Sequence, residues 1–288
     1  MKYLVYSFLI GLVFVFSGCC GEKCCGCKSQ AAPAKVTDGW KMAVQGWTFN
    51  RFTLFEAIEN VDKLGLDYIE CYPGQKLSPD SDVRFTYNVS AEVKQQVKDK
   101  LAQHNVKLVN FGVFGFPKER EKCVEVFEFA KEMGIETIVS EPKTDQLAML
   151  DELAQQYKIN IAIHNHPQPS FYWNPDTVLK ALEGRSKYMG ACGDVGHWMR
   201  SGVNPVEAVQ KLKGKIISFH FKDLNEFGNK GAHDMPWGTG VGNATAVLDE
   251  IKKQGFQGVF TAEYEYNWDN SMPELAQCVA FFKAYQNN

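Results

Sequence analysis

The sequence has 288 residues, of which 45% are hydrophobic and 23% are charged, and its formal net charge is −3. These proportions are typical of a globular protein and exclude a disordered or fibrous chain. The charge balance shows no basic excess, so nucleic acid is not an expected partner. The length suits one large α/β barrel or two small domains.

The first 18 residues have the pattern of an export signal. A lysine stands near the start, an apolar run follows, and small residues precede Cys19. The run is shorter than the ~20 apolar residues that a transmembrane helix needs. The stretch Phe-Ser-Gly-Cys that ends at Cys19 resembles the bacterial lipobox, which implies cleavage before Cys19 and lipidation of its thiol. We expect an exported lipoprotein, in the periplasm or at the cell surface, that meets the membrane only through its lipid anchor. An uncleaved membrane anchor is the alternative.

The cysteines are unevenly distributed along the chain. Five of the nine lie between Cys19 and Cys27, and the other four are spread over the remaining sequence. We interpret residues 19–39 as a Cys-rich tether and linker with incidental thiols, and a metal site or redox-active cluster is the alternative. The folded domain is predicted to span residues 40–288.

From Trp40 onward, short apolar runs of strand length alternate with amphipathic stretches of helical periodicity. The runs predict strands at residues 42–47, 66–72, 107–113, 136–140, 159–164, 189–194, 216–220 and 258–263. The clearest predicted helices, at residues 52–64, 119–133, 203–212 and 244–254, are each followed closely by a glycine, which is typical of a helix C-terminus.

Eight successive strand–helix units predict a single (β/α)8 TIM barrel. A doubly wound sheet is the alternative fold, but its G-x-G-x-x-G phosphate loop does not follow an early strand here. The longer insertion at residues 73–88 is predicted to be a loop over the barrel mouth.

Strands four to eight each end in a carboxylate or an imidazole, and catalytic groups of a TIM barrel project from these ends. We call these C-terminal strand ends the strand exits. In chain order they carry Glu141, His164 and His166, Asp194 and His197, His220 and Lys222, and Glu263 and Glu265. Five of the six histidines lie on this face of the predicted barrel, all but His104. This concentration predicts a functional site.

The exits supply candidate ligands for one divalent metal ion. The predicted set is Glu141, Asp194, His220 and Glu263. Carboxylates that converge in a low-dielectric site repel each other unless a cation lies between them. The set suits Mn²⁺, Mg²⁺, Co²⁺ or Zn²⁺. Helix caps and buried ion pairs are the alternative roles for these residues.

Five strand ends carry short motifs whose order resembles that of the xylose isomerase-like barrel superfamily. The motifs are, in chain order, Glu, His-Asn-His, Asp-x-x-His, His-x-Lys-Asp and Glu. The resemblance spans residues 40–282 and includes His-Asp-Met-Pro-Trp-Gly-Thr-Gly at residues 233–240, which is similar to the family's loop after strand seven. It implies one divalent ion bound by a Glu, Asp, His, Glu set, which Asp194, His220 and Glu263 match directly. The first Glu does not carry over directly; the nearest glutamate is Glu141 on strand four, an arrangement similar to inosose dehydratase. Ketose 3-epimerases have a strand-five Glu where His164 stands here.

The other candidates are assigned to acid–base chemistry and to substrate binding. Glu263, Glu141 and the pair His164 and His166, which share a strand face, are candidate catalytic groups. Candidate substrate contacts are His197, Lys222, His233, Trp47, Trp198 and Trp237. The indoles offer flat apolar faces to a sugar ring, and packing between barrel and helices is their alternative role.

The resemblance implies proton removal next to a carbonyl of a polyol. We expect a divalent-metal-dependent sugar isomerase or epimerase that acts through an enediolate on a free sugar or keto-sugar. Export and the few cations at the exits argue against a phosphorylated substrate. A dehydratase or lyase on a 3-keto-glycoside or keto-polyol is one alternative. A non-catalytic carbohydrate-binding lipoprotein is the alternative from another class.

Overall fold

The computed structural model describes residues 35–287, and its eight main strands close into a parallel barrel. The barrel strands are β1 Trp40–Gln45, β2 Tyr68–Cys71, β3 Lys107–Phe114, β4 Thr137–Ser140, β5 Asn160–His164, β6 Met189–Asp194, β7 Ile216–Phe221 and β8 Gly258–Ala262. Each strand pairs with its neighbours in chain order, and β1 closes the ring by pairing in parallel with β8. The predicted (β/α)8 TIM barrel is confirmed.

Helices surround the barrel. Their bounds are α1 Leu54–Lys63, α2 Ala91–Gln103, α3 Arg120–Met133, α4 Leu147–Tyr157, α5 Pro175–Ala181, α6 Val195–Arg200, α7 Pro205–Lys211, α8 Ala244–Lys253 and α9 Met272–Asn287. Local chemistry sets their ends. Thr53 and Glu56 form a capping box that starts α1. Gly134 ends α3 at a φ of 75°, a left-handed conformation that glycine adopts without steric cost.

The barrel interior is apolar towards the N-terminal ends of the strands and polar towards their C-terminal ends. Small side chains fill the lower layers, in two clusters: Ala43, Val109 and Val259, and Val139, Ala162 and Cys192. Buried polar side chains of the barrel strands lie closer to the C-terminal ends, among them Gln45, Glu70, Asn110, His220 and Thr261. The site is therefore built at the end of the barrel where TIM barrels carry their catalytic residues.

The insertion after β2 is more ordered than the predicted loop. It contains a two-stranded antiparallel hairpin, Gln75–Lys76 with Arg84–Phe85. The amide nitrogen of the buried Gln75 donates to the carbonyl oxygens of Phe49 and Phe52, both at 3.3 Å. The insertion thereby holds the loop that follows β1.

Within residues 35–287, no helix is long and apolar enough to cross a membrane. The predicted signal at residues 1–18 and the lipidation site Cys19 lie outside the described residues. Of the predicted tether, the described part includes a 3₁₀ turn, Val36–Gly39, which leads directly into β1.

Candidate metal and substrate site

Side chains from the ends of β5, β6 and β8 meet at the centre of the barrel mouth. Ligand atoms of His164, Asp194, His197 and Glu263 all lie within 4.8 Å of one another. All four side chains are buried. His220 lies beside them because it pairs in register with Asp194 on the neighbouring strand. The ends of strands five to eight therefore form one cluster.

A lysine ammonium lies between the carboxylates of this cluster. Lys222 Nζ is 2.8 Å from Asp194 Oδ2, 2.7 Å from Glu263 Oε2 and 3.0 Å from Glu265 Oε2. Burial opposes its charge, but the three carboxylates raise the pKa of Lys222 well above its ordinary value. Lys222 was predicted to bind substrate, but its side chain is buried and is the counter-ion of the acidic groups.

Asp194 and Glu263 are ionised in this setting. Burial favours their neutral forms, but the cationic or polar groups beside them outweigh this effect and favour the ionised forms. His197, Lys222 and His164 hold the pKa of Asp194 well below its usual range. Lys222 and His220 do the same for the pKa of Glu263. Both carboxylates are therefore available as ligands or, for Glu263, as a base.

Glu70 at the end of β2 was missed by the sequence analysis. Its fully buried carboxylate accepts hydrogen bonds from Gln45 Nε2 at 3.0 Å, Asn110 Nδ2 at 3.2 Å and Thr261 Oγ1 at 2.8 Å. His220 Nε2 is 2.8 Å from the same group. The carboxylate oxygen accepts this contact, so Nε2 is assigned as the donor and Nδ1 faces the cluster. A charged residue within the apolar run Leu66–Tyr72, close to the C-terminal end of the strand, was the signal that could have revealed it.

Glu141 lies behind His164 rather than at the centre of the cluster. Its Oε1 is 3.3 Å from His164 Nδ1 and 2.6 Å from His166 Nδ1, and its Oε2 accepts from Ser170 Oγ at 2.8 Å. His164 Nε2 points the other way and is 3.4 Å from Asp194 Oδ2. Despite burial, Asp194 and Glu141 raise the pKa of His164 to about 9. His164 therefore occupies the ligand position for which Glu141 was predicted.

His197 is oriented by Arg200. Arg200 Nη1 lies 3.1 Å from His197 Nδ1 and 2.7 Å from Glu265 Oε2, and Nη2 is 3.0 Å from Asp234 Oδ2. Burial and the nearby Lys222 hold the pKa of His197 well below its ordinary value, although Asp194 opposes this. His197 is therefore a neutral imidazole whose Nδ1 accepts from Arg200, which leaves the proton on Nε2.

The residues at the centre fit a divalent cation. His164 Nε2 and His220 Nδ1 are buried and have no hydrogen-bond partner within residues 35–287. His220 Nδ1 is 3.0 Å from Glu263 Oε2 and 3.9 Å from Asp194 Oδ2. Ligands of an ion at about 2.0–2.2 Å lie about 3.0–3.5 Å apart, close to the separations found here. His164, Asp194 and Glu263 are common to every fitting donor set, and the fourth donor is His197 in the compact group within 4.8 Å or His220, whose Nδ1 is 3.0 Å from Glu263.

A cavity of about 450 Å³ opens beside this cluster. Its lining residues are Gln45, Trp47, Tyr72, Pro73, Gly112, Val113, His166, His197, Glu263 and Glu265. Within residues 35–287, no lysine or arginine is among them. Of the predicted substrate contacts, Trp47 and His197 reach the cavity wall, and so does the predicted catalytic residue His166.

The other predicted substrate contacts lie elsewhere. Trp198 and Trp237 are buried in the core between barrel and helices. His233 stacks on Tyr266, with ring centroids 4.3 Å apart. The glycine-rich end of its loop is held by Asp223, which accepts backbone N–H bonds from Gly238 and Gly240, both at 3.0 Å. The structure therefore gives the two indoles the packing role that the sequence analysis had named as their alternative.

The family model of the xylose isomerase-like TIM barrel matches residues 58–285, so the chain belongs to that family. Members of this family are usually sugar isomerases, epimerases or related enzymes, and they act on small sugar substrates. A curated relative, the uncharacterized protein MJ1311 of Methanocaldococcus jannaschii, is 31% identical over 123 residues, which cover 41% of this chain and 41% of that protein. The chain thus matches less than half the length of that relative.

Solved structures support the same fold over most of the chain. An uncharacterized protein from Parabacteroides distasonis is 32% identical, with a TM-score of 0.69 over 85% of this chain and 98% of that one. A D-tagatose 3-epimerase-like protein is 20% identical, with a TM-score of 0.66 over 86% and 97%. The IolI protein, solved with a zinc atom, is 19% identical, with a TM-score of 0.61 over 85% and 97%. The last two show the fold alone.

Proposed function

We propose that this protein is a divalent-metal-dependent isomerase or epimerase that acts through an enediolate on a free sugar or keto-sugar. The observation that carries the proposal is the pair of buried imidazole nitrogens on His164 and His220, which form no well-aligned hydrogen bond and face carboxylate oxygens of Asp194 and Glu263 at 3.4 Å and 3.0 Å. An unpaired polar atom in a buried site is costly, and a shared cation satisfies all four groups. The family membership supports a sugar as the substrate.

The four ligands would be His164, Asp194, His220 and Glu263. A bound divalent ion supplies positive charge that polarises a carbonyl and offsets the negative charge of the enediolate. Glu141 and Glu70 hold the far nitrogens of the two imidazoles and so fix which nitrogen faces the cation.

Glu263 and His166 are the proposed acid–base pair. Both line the cavity, and they come from β8 and from the exit of β5, on different sides of the mouth. Glu263 is ionised and can remove a proton from carbon. His166 is held through Nδ1 by Glu141, which leaves Nε2 for proton exchange with the substrate. Its neighbour His197 carries a proton on Nε2 and can donate a hydrogen bond to a substrate oxygen.

The substrate is proposed to be unphosphorylated. Arg200 is engaged by Asp234 and Glu265, and Lys222 is engaged by three carboxylates. A phosphate group usually needs an arginine fork or a free helix N-terminus. The cavity lining instead carries the acidic side chains of Glu263 and Glu265, which would repel a phosphate.

The test combines metal analysis with proton NMR in heavy water. Protein that lacks residues 1–18 should hold close to one equivalent of a divalent ion after exposure to Mn²⁺ or Co²⁺. A panel of free sugars, keto-sugars and 3-keto-glycosides should show deuterium incorporation next to a carbonyl. Elimination without exchange would favour the dehydratase or lyase. Sugar binding with neither reaction and no bound metal would favour the non-catalytic carbohydrate-binding lipoprotein.

The proposed location is the periplasmic or outer face of a membrane, through a lipid on Cys19. The support is the export-signal pattern of residues 1–18. Palmitate labelling of the full chain should be lost in Cys19→Ala and kept in the neighbouring control Cys20→Ala. Labelling that survives Cys19→Ala would contradict this location of the anchor.

A further inference from the structure

The cavity has two chemically different walls. His166 and His197 follow β5 and β6, whereas Trp47 and the pair Tyr72 and Pro73 follow β1 and β2. In a closed ring of eight strands, β1 lies opposite β5 and β2 lies opposite β6. A ligand that touches both walls therefore spans the mouth of the barrel.

The aromatic wall is exposed although its neighbours hold it in place. Trp47 is 42% exposed, which is unusual for an indole in a folded chain. Its ring contacts Tyr72 edge-on at 5.1 Å and Trp268 edge-on at 6.3 Å between ring centroids. With 42% of its surface exposed, the indole keeps apolar area that another ring can cover.

Two glutamines fix the backbone that carries Trp47. Gln45 Oε1 accepts from Trp47 N at 3.1 Å, while Gln45 Nε2 donates to Glu70 Oε1 at 3.0 Å and to the carbonyl oxygen of Gly112 at 2.9 Å. Gln75 holds the same loop through the carbonyls of Phe49 and Phe52. An aromatic side chain held in this way loses little entropy when a ligand stacks on it.

We propose that Trp47 and Tyr72 form an outer subsite for a second sugar ring, so that the substrate is a disaccharide or a larger glycoside. This inference rests on the proposed function for the reacting ring, which is held beside Glu263 and His166. That ring occupies the acidic and imidazole side of the cavity. The next ring then meets the opposite, aromatic wall, where its apolar C–H face covers the exposed indole.

The absence of free cations on the cavity wall, within residues 35–287, is consistent with two neutral rings. Burial of the indole against a pyranose face removes apolar surface from water. We expect each disaccharide that fits to bind at least tenfold more tightly than glucose, which corresponds to about 1.4 kcal/mol.

The experiment is isothermal titration calorimetry of the Mn²⁺-loaded protein with glucose, cellobiose, maltose, trehalose and 4-nitrophenyl β-glucoside. The variants are Trp47→Ala, Trp47→Phe and the control Phe227→Ala. Phe227 is 49% exposed and does not line the cavity. Trp47→Ala should remove the preference for at least one disaccharide over glucose and leave glucose affinity within about twofold. Trp47→Phe should retain part of the preference, and Phe227→Ala should retain all of it.

Equal binding of glucose and all three disaccharides, or no binding of any disaccharide, would overturn the outer subsite. A preference for the nitrophenyl glucoside alone would replace the sugar ring with an apolar aglycone and would overturn it as well. Loss of glucose affinity in Trp47→Ala would place the indole at the reacting ring instead. The heavy-water exchange assay tests the proposed reaction independently of the subsite. A disaccharide preference without deuterium exchange would support the subsite and reject the isomerase or epimerase reaction.

Discussion

The two sides of the barrel mouth differ in charge and in what their side chains can do. The β5–β8 side carries Asp194, Glu263, Lys222 and the imidazoles, and it is linked by ion pairs. The β1–β3 side contributes the neutral amides of Gln45 and Asn110 and the aromatic wall that follows β1 and β2. The proposed function places proton transfer and cation binding on the first side and ligand positioning on the second.

Glu70 connects the two sides beneath the cavity. It belongs to β2, yet its carboxylate reaches His220 on β7 and Thr261 on β8. Gln45 extends the connection to the backbone of Trp47. The β1–β3 side therefore also determines how an imidazole of the β5–β8 side is oriented.

The largest effect is expected when the charged side loses its base. Glu263→Gln should lower heavy-water exchange into the substrate by about 10²–10⁴-fold, because the amide cannot accept the proton. The matched control is Glu265→Gln, two residues further on, whose carboxylate binds Arg200 and Lys222. It should lower exchange far less. Exchange rates of Glu263→Gln close to wild type would remove Glu263 as the base.

Removal of the buried ammonium should destabilise the metal-free protein. Lys222→Met leaves the carboxylates of Asp194 and Glu263 without their closest cation, and breaking a buried pair in this way costs about 3–5 kcal/mol. Mn²⁺ should restore most of this stability, since the ion takes over the same oxygens. Urea unfolding with and without Mn²⁺ measures both quantities.

The control for Lys222→Met is Lys253→Met, because the Lys253 side chain is 75% exposed and pairs with Glu250 at the surface. It should change the free energy of unfolding by less than about 1 kcal/mol. An equal Mn²⁺ stabilisation of wild type and Lys222→Met would show that the ion and the ammonium do not share the carboxylates.

A smaller effect is expected when the connection between the sides is cut. Glu70→Gln should weaken Mn²⁺ binding by about 10–100-fold, because the amide no longer enforces one orientation and tautomer of His220. Thr261→Val is the control, since it removes one hydrogen bond to Glu70 and leaves the His220 contact intact. Metal titration of folded protein measures the affinity. Unchanged Mn²⁺ affinity in Glu70→Gln would limit Glu70 to a structural role.

The sequence predicts the architecture well because the barrel is encoded locally. Apolar runs alternate with amphipathic stretches, and glycines such as Gly134 end helices in left-handed conformations. The strand exits predict the place of the site for the same reason, since parallel strands deliver their ends to one face. The matched family model and the closed barrel confirm the predicted fold.

The roles within the site depend on contacts between distant strands, which one sequence does not reveal. Lys222 follows the end of β7, and its position in the sequence predicts a cation at the rim of the site. In the structure, three carboxylates from β6 and beyond β8 surround it. Glu141 was predicted to be a metal ligand, but the ring of His164 lies between it and Asp194. Glu70 lies within an apolar run, and its partners come from four other strands.

The smallest effect should come from a tryptophan that the structure places in the core. Trp237 is 3% exposed, and its ring lies 4.7 Å from Phe221 and 6.1 Å from Phe282 between centroids. Trp237→Phe should lower the free energy of unfolding by about 1–2 kcal/mol, because a smaller ring leaves part of the space unfilled. The disaccharide preference that depends on Trp47 should be unchanged in calorimetry. A loss of that preference with wild-type stability would return Trp237 to the substrate site and extend the aromatic wall towards β7.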